Sequence, residues 1–143
     1  MKTKNILFIC KYNRFRSKVA ETYFKRINRN KNIKVKSQGI IEVNKPLDLM
    51  ERKRNIYLKK EYGFALKAKS VSISVKSLLW ADKIIVVADD VPAVIFDSTK
   101  WKNKVEIWKF PDEKADNKRN INKTVDSIIK KIDKLVESLV GEK

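Results

Sequence analysis

The 143-residue sequence contains no histidine and a single cysteine. Without histidine, the chain can form no Ser-His-Asp or Cys-His nucleophile pair, no histidine-ligated zinc site and no histidine general base. With Cys10 alone it can form no intrachain disulfide, no thiolate metal cluster and no two-cysteine redox relay. The chemistry left open uses one thiol, carboxylates, amines, guanidinium groups, hydroxyls and the backbone.

Long apolar segments are also missing. The first apolar run, at residues 6–9, is shorter than the core of about 7–15 residues in a signal peptide. No stretch approaches the roughly 18 apolar residues of a membrane-spanning helix. We therefore expect a cytoplasmic protein with no membrane partner.

Negative charge is scarce relative to positive charge. The chain has 34 Lys and Arg residues, 17 Asp and Glu residues and a net charge of +17. Such a field attracts anions, whether nucleic acids, acidic proteins or phosphoesters. The basic residues are spread along the chain, however, and no nucleic-acid-binding motif is present. A nucleic-acid partner is therefore an alternative that we do not favour; its affinity would fall steeply with salt and would survive Cys10→Ala.

The length and the apolar pattern predict one domain, residues 1–143, in which strands and helices alternate. Continuous apolar runs predict strands buried on both faces of a parallel sheet, and apolar residues at helical spacing predict the helices between them. The predicted strands are 5–10, 33–37 (stopped by Gly39), 83–88 and 104–108. The predicted helices are 17–28, a weaker one from Pro46 to Tyr62 that ends at Gly63, one with Pro92 in its first turn, and 121–140. In the weaker helix, the residues predicted to point inward are Leu47, Met50, Tyr57 and Leu58. Residues 70–79 are ambiguous.

This alternation predicts an α/β fold, a three-layer sandwich with a central four-stranded parallel sheet and right-handed crossovers. The last helix also has heptad spacing, over fewer than three heptads, so a coiled-coil partner is an alternative. We favour a closing helix packed on its own sheet, in a monomer or weak dimer. In such folds ligands bind beyond the carboxyl ends of the strands, at the switch point of the sheet, which here is the end of the first strand at Cys10.

The segment from Cys10 to Ser17 joins that strand directly to a helix. A thiol at the end of a strand, followed by a short loop and a helix N-terminus, lies among backbone N–H groups that point one way and bind anions. Both the amides and the helix end stabilise a thiolate over a thiol. Arg16 offers a planar fork that matches two phosphoryl oxygens, Ser17 can donate a hydroxyl hydrogen bond toward the sulfur, and Asn13 tolerates a left-handed backbone. The alternative is a buried core thiol with solvated arginines.

These residues resemble the opening of the low-molecular-weight protein tyrosine phosphatases, whose loop is Cys-x5-Arg-Ser. The resemblance continues along most of the chain. It is carried by Ile6-Leu7-Phe8-Ile9-Cys10, Asn13, Arg16-Ser17 and Ala20-Glu21, by Ser37-Gln38-Gly39, by the run from Ala81 to Asp89, and by Phe110-Pro111-Asp112 at the place of the general-acid loop.

The resemblance implies a flavodoxin-like phosphatase fold and a role for each matching residue. Cys10 would be the nucleophile, Arg16 would bind the phosphoryl group and Asp112 would donate the proton, with no metal and no cofactor. Asn13 and Ser17 would hold the loop and the thiolate. The loop that would bind phosphate, vanadate or sulfate consists of Lys11, Tyr12, Asn13, Arg14, Phe15, Arg16 and Ser17.

The sequence departs from the family pattern at several of these places. Tyr12 stands where the family usually has glycine, so it either strains the loop or forms an aromatic rim. Arg14 replaces an apolar residue and adds positive charge beside the mouth of the site. Glu113 follows Asp112 where the family has proline, and Asp116 is a rival proton donor. The pair Asp89-Asp90 lacks a third metal ligand, and we interpret it as a capping or surface pair.

By resemblance, the expected activity is hydrolysis of phosphomonoesters, above all protein phosphotyrosine, through a thiophosphoryl-cysteine intermediate. Phosphoarginine and small phosphomonoesters are alternative substrates. A non-catalytic oxyanion-binding module is a second interpretation, and a thiol-dependent arsenate reductase, which would need an external thiol, is a third. Lys11, Arg14 and Lys18 near the mouth suggest a substrate with acidic flanking residues.

Overall fold

A four-stranded parallel sheet forms the centre of the protein, for which a computed structural model describes residues 2–112 and 117–142. The strands are β1 (Asn5–Cys10), β2 (Lys34–Gly39), β3 (Lys83–Val87) and β4 (Val105–Trp108), in the spatial order β2-β1-β3-β4. Each neighbouring pair is parallel. The predicted α/β fold with a central parallel sheet is confirmed. The strand order changes direction after β2, so β1, which carries Cys10 at its end, lies at the switch point.

The sheet is flanked by helices α1 (Arg16–Ile27), α2 (Leu49–Tyr62), α3 (Val75–Trp80) and α4 (Lys118–Val140). Helices α1 and α4 pack against each other, and α3 packs on β1. The apolar stripe of α4 is buried within the chain's own core, as predicted for a closing helix; its buried apolar residues are Ile121, Val125, Ile128, Ile132, Leu135 and Leu139.

Helix α2 begins later than the sequence predicted. Its first residue is Leu49 rather than Pro46, because the Asp48 carboxylate accepts a 2.7 Å hydrogen bond from the Glu51 backbone N–H and so caps the helix. Met50, predicted to point inward, is 36% exposed. The residues that α2 buries are Arg54 and Leu58, which are four positions apart and therefore share a face.

The second strand, predicted over 33–37 and stopped by Gly39, does end at Gly39 but includes this residue. Gly39 pairs with Cys10 and also bridges to Ser72. A Cβ atom at Gly39 would lie 2.9 Å from the Asn13 nitrogen and 2.9 Å from the Lys11 carbonyl oxygen. The glycine is therefore needed for the close approach of β2 to the loop after Cys10 rather than for a turn.

The other differences are local. The ambiguous segment 70–79 contains the Ser72 bridge and the start of α3. Pro92 precedes a single 3-10 turn, Ala93–Phe96, instead of opening a longer helix. Strand β4 starts at Val105, one residue later than predicted, because Lys102–Lys104 forms another 3-10 turn. Within the described residues, no helix combines the length and the apolar character needed to cross a bilayer.

Candidate active site

The thiol of Cys10 lies at the carboxyl end of β1 and is 2% exposed. Its Sγ atom is 3.0 Å from the hydroxyl oxygen of Ser17, in the first turn of α1. Strand and helix are joined by residues 11–15, so the sulfur faces a tight loop and a helix N-terminus. This is the arrangement that the sequence predicted.

Asn13 holds the loop from inside. Its backbone has φ of +55°, the left-handed conformation that asparagine tolerates. Its side-chain Nδ2 donates to the hydroxyl oxygens of Ser17 (2.8 Å) and Ser37 (3.1 Å), and its Oδ1 accepts from the Val71 backbone N–H (3.0 Å). Either Ser17 or Cys10 can donate in the 3.0 Å contact between hydroxyl and sulfur, and when the sulfur is a thiolate the Ser17 hydroxyl is the donor.

The backbone N–H groups of residues 11–15 have no hydrogen-bond acceptor within 2–112 and 117–142. Unpaired amides at a strand–loop–helix junction form a site that binds anions. Asn13 is the only non-glycine residue with positive φ in the described chain. Tyr12 therefore carries no such strain; it is 36% exposed and lines the site as an aromatic rim.

Arg16 is the most deeply buried charged residue of the loop, at 2% exposure. Its Nη1 donates to the Phe110 carbonyl oxygen (3.0 Å), and its Nη2 donates to Oδ2 of Asp90 (3.2 Å). The Asp89 carboxylate lies 3.8 Å from Nη1, and that of Asp112 lies 3.9 Å from Nε. Asp89 lies at the surface, as interpreted, with 45% exposure, but the interpretation missed that the carboxylates of both Asp89 and Asp90 face this guanidinium.

A cavity of about 290 Å³ opens in front of these groups. Cys10 and Arg16 from the loop, and Asp112 from the segment after β4, all line it. Asp112 is 43% exposed. The full lining is Cys10, Tyr12, Arg14, Phe15, Arg16, Val43, Lys45, Asp48, Glu51, Arg54 and Asp112.

The charge of Arg14 is matched by a carboxylate, contrary to the expectation that it adds free positive charge at the mouth. Arg14 is 6% exposed, and its Nη1 donates to Oε1 of Glu51 at 2.8 Å. It also donates to the carbonyl oxygens of Lys45 and Pro46. Arg14 thus ties the loop to the start of α2.

Lys18, also predicted near the mouth, is not among the residues that line this cavity. It is buried, its Nζ donates to the Lys69 carbonyl oxygen at 2.7 Å, and burial lowers its pKa. Lys11 does not line the cavity either; it is half-buried, with its Nζ 5.1 Å from the centre of the ring of Tyr12, which does. Of the three cations predicted at the mouth, Arg14 alone is among the lining residues.

Two residues of α2 at this site were missed by the sequence interpretation. Glu51 neutralises Arg14, and Arg54, 5% exposed, stacks its guanidinium 4.4 Å from the centre of the Phe15 ring. Burial lowers the pKa of Arg54. A usable signal was the spacing of Arg54 and Leu58, which puts an arginine on the buried face of the helix.

The choice between the two candidate proton donors stays open. Asp112 lies in the described chain, whereas Glu113 and Asp116 lie outside the described residues. Among the residues that are described, no group of three or more Cys, Asp or Glu side chains is placed to hold a metal ion.

A buried cysteine at a strand end, an anion-binding loop and a loop arginine, on a four-stranded parallel sheet, define the class of cysteine-based phosphatases. The family model described as low molecular weight phosphotyrosine protein phosphatase matches residues 5–143, so the chain belongs to that family and is a hydrolase. No curated protein matches the sequence.

Solved structures share the fold. A low molecular weight protein tyrosine phosphatase from T. tengcongensis is 24% identical, with a TM-score of 0.76 and coverage of 94% of this chain and 98% of that one. The YwlE arginine phosphatase from Geobacillus stearothermophilus is 20% identical (TM-score 0.75; 96% and 93% covered). An arsenate reductase from Archaeoglobus fulgidus is 21% identical (TM-score 0.70; 92% and 98% covered).

Proposed function

We propose that this phosphatase hydrolyses phosphomonoesters, with phosphotyrosine in proteins as its principal substrate. The supporting observation is the Cys10 sulfur itself: it is buried, 3.0 Å from the Ser17 hydroxyl, beside loop amides that have no acceptor within the described chain. A phosphoryl group with a charge of about −1.5 to −2 fits such a loop. The amides and Arg16 bind its non-bridging oxygens.

Cys10 attacks first. The thiolate forms a bond to phosphorus while the bond from phosphorus to the ester oxygen breaks in line. The Asp112 carboxyl group gives its proton to the departing oxygen, so the alcohol leaves neutral. The product of this step is a thiophosphoryl group on Cys10.

Water completes the cycle. The Asp112 carboxylate, now deprotonated, accepts a proton from a water molecule that attacks the phosphorus. The sulfur–phosphorus bond breaks, inorganic phosphate leaves and the thiolate is restored. The loop amides and Arg16 stabilise the negative charge in both steps.

The depth of the thiol supports an aryl ester. Cys10 is 2% exposed and lies behind the rim residue Tyr12. A phosphate at the tip of a long, flat side chain can reach the bottom of such a cavity while the peptide backbone stays outside. A phosphate on serine or threonine is held too close to its backbone to do so.

The test compares wild type, Cys10→Ser, Asp112→Asn and the control Asp97→Asn on p-nitrophenyl phosphate, a phosphotyrosine peptide and a phosphoarginine peptide. Cys10→Ser is expected to lose more than about 1,000-fold in turnover, because it lacks the nucleophile. Asp112→Asn is expected to lose about 100-fold or more with phosphotyrosine. Asp97 is exposed and does not line the cavity, so Asp97→Asn is expected to match wild type.

Rapid quenching of the wild-type reaction is expected to trap phosphate on Cys10. Full activity in Cys10→Ser would contradict the proposal. Phosphate binding without turnover would instead indicate a non-catalytic module, and arsenate reduction with an added thiol but no phosphate release would indicate a reductase. Faster turnover of phosphoarginine than of phosphotyrosine would change the substrate assignment alone.

A further inference from the structure

Three arginines line the cavity, and each is more than nine-tenths buried: Arg14 at 6%, Arg16 at 2% and Arg54 at 5% exposure. Their carboxylate partners are unequally distributed. Arg14 has one and Arg16 has three. Arg54 has none within 4.0 Å among residues 2–112 and 117–142.

The contacts of Arg54 leave much of its guanidinium unused. Its Nη2 donates a long 3.4 Å hydrogen bond to the Arg14 carbonyl oxygen, and its plane lies on the Phe15 ring. Its Nε is enclosed and has no partner in the described chain. Its Nη1 also has no partner there, but is not enclosed by protein.

Arg54 remains positively charged despite its burial, because a guanidinium is protonated at any ordinary pH. Burying a charge without a partner is energetically unfavourable. An anion bound in the cavity would offset this cost. Lys45, exposed and without an ion-pair partner in the described chain, adds a second cation to the same wall.

The phosphoryl group does not account for Arg54. Under the proposed function, the loop amides and Arg16 bind the oxygens of that group, whereas Arg54 projects from α2 and stacks on the Phe15 ring. Each carboxylate that lines the cavity has a contact of its own: Asp48 accepts from the Glu51 N–H, Glu51 binds Arg14, and Asp112 lies 3.9 Å from Arg16. Among the cations that line the cavity, Arg54 and Lys45 are the two with no carboxylate within 4.0 Å in the described chain, so they can attract a second negative group.

We propose that Arg54 forms a second anion subsite, which binds a carboxylate adjacent to the phosphorylated side chain of the substrate. The substrate class is then a phosphotyrosine with an acidic residue as its immediate neighbour. This proposal rests on the proposed function and assigns the preference for acidic sequence to Arg54, assisted by Lys45, rather than to Lys11, Arg14 and Lys18. The open Nη1 of Arg54 can donate a charge-assisted hydrogen bond to such a carboxylate.

The test uses two phosphotyrosine peptides that differ only in a neighbouring Glu or Gln. Wild type is expected to favour the Glu peptide by about tenfold in kcat/KM, the size of one charge-assisted contact. Arg54→Gln is expected to reduce this preference to within about twofold. Arg52→Gln removes the same charge from an exposed position of the same helix and is expected to keep the full preference.

The ratio of the two peptides separates a subsite from a merely structural role. If Arg54→Gln lowers both peptides equally, Arg54 only positions the loop and the proposal is overturned. Loss of the preference in Arg52→Gln as well would assign it to the overall positive field, and absence of a preference in wild type would also refute the subsite. Should Arg54→Gln fail to fold, Arg54→Lys replaces it, because this variant keeps the charge and lacks the planar guanidinium. Its preference for the Glu peptide in kcat/KM is expected to fall from about tenfold to about threefold.

Binding to Cys10→Ser keeps this test independent of turnover. Calorimetry with the same two peptides is expected to show the same tenfold difference in Kd, abolished by adding Arg54→Gln. A preference in binding with no turnover by wild type would refute the proposed hydrolysis and support the subsite. Turnover without any preference between the two peptides would support the proposed hydrolysis and refute the subsite.

Discussion

The hydroxyl of Ser37 donates a 2.6 Å hydrogen bond to Oε1 of Glu21 and accepts a 3.1 Å hydrogen bond from Asn13. Through Asn13 and Ser17 this pair is linked to the Cys10 sulfur, so strand β2 and helix α1 jointly hold Asn13 and Ser17 in place behind the thiol. The Glu21 carboxylate accepts from Ser37, so the Ser37 hydroxyl accepts from Asn13 and donates to Glu21; with Cys10 ionised, the Ser17 hydroxyl likewise accepts from Asn13 and donates to the sulfur.

Ser37→Ala tests this direction. The change leaves one Asn13 N–H and one Glu21 oxygen without partners, which is expected to cost about 1–3 kcal/mol in unfolding free energy. It is also expected to slow alkylation of Cys10 by iodoacetamide at pH 7 several-fold, since Ser17 is no longer held. Urea denaturation and the alkylation rate are the two measurements. Ser127→Ala, which removes a half-exposed hydroxyl on α4, serves as the control, and equal alkylation rates in the two variants would refute the link.

Gly39→Ala is expected to displace the loop. The added methyl group would lie 2.9 Å from backbone atoms of residues 11–13, which cannot move aside as a side chain can. We expect a loss of about 1–3 kcal/mol in stability and at least a tenfold loss in kcat/KM.

Gly141→Ala is the matched control for this variant. Its backbone is helical, and its nearest contact would be an ordinary 3.6 Å, so stability within about 0.5 kcal/mol of wild type is expected. Normal kinetics and thermal stability in Gly39→Ala would show that the close approach is dispensable.

The two neighbouring carboxylates on Arg16 are expected to differ in importance. Asp90 approaches the guanidinium at 3.0 and 3.2 Å, whereas Asp89 remains at 3.8 Å and is 45% exposed. Asp90→Asn is expected to lower kcat/KM for p-nitrophenyl phosphate about tenfold, because a charge-assisted contact that orients Arg16 is lost. Asp89→Asn is expected to lower it by less than about threefold. Steady-state kinetics of the two variants measure these changes in kcat/KM. A larger loss in Asp89→Asn than in Asp90→Asn would contradict the geometry.

Glu51→Gln removes the partner of a buried arginine. The unfolding free energy is expected to fall by about 2–3 kcal/mol, less than for a fully enclosed pair, because Glu51 is 19% exposed. Glu61→Gln, an exposed change on the same helix, is the control. The double variant Arg14→Met, Glu51→Leu is expected to regain most of the loss. Equal midpoints for Glu51→Gln and Glu61→Gln in urea would disprove the pairing.

Acid stability depends in part on a contact between the two ends of the chain. The backbone N–H of Thr3 donates to Glu142 at 2.7 Å, and its hydroxyl donates at 2.8 Å, which lowers the pKa of Glu142 below its ordinary 4.5. The unfolded state then binds more protons, so this contribution is present above pH 4.5 and is lost as the pH falls through the lowered value.

Glu142→Gln is therefore expected to have a lower Tm than wild type at pH 7, with a difference that shrinks below pH 4.5. Glu137→Gln, an exposed change on α4, is expected to show no such pH-dependent difference. Thermal melts at pH 3, 5 and 7 measure it. A difference in Tm that is constant over this range would argue against the Thr3 contact.

The sequence predicted the parts of the site that are local in the chain. Cys10, Asn13, Arg16 and Ser17 lie within eight positions, and a buried strand followed at once by a helix leaves that loop only one arrangement. Arg14 was the exception, because nothing in its own neighbourhood indicates a partner 37 residues away. For Arg54, the spacing with Leu58 indicates a buried face of α2, but only the fold shows that this face meets the loop at Arg14, 40 residues away.

Composition and periodicity alone determined that any thiol chemistry must use Cys10 and that a parallel sheet would present this residue at a strand end. Both follow from short-range rules: which residue types exist, and which faces of strands and helices are apolar. The tertiary structure alone decided which charges remain free. It paired Arg14 with Glu51, surrounded Arg16 with carboxylates and left Arg54 with none in the described chain. Charge balance in a buried site depends on distances between distant segments, and those distances exist only once the chain has folded.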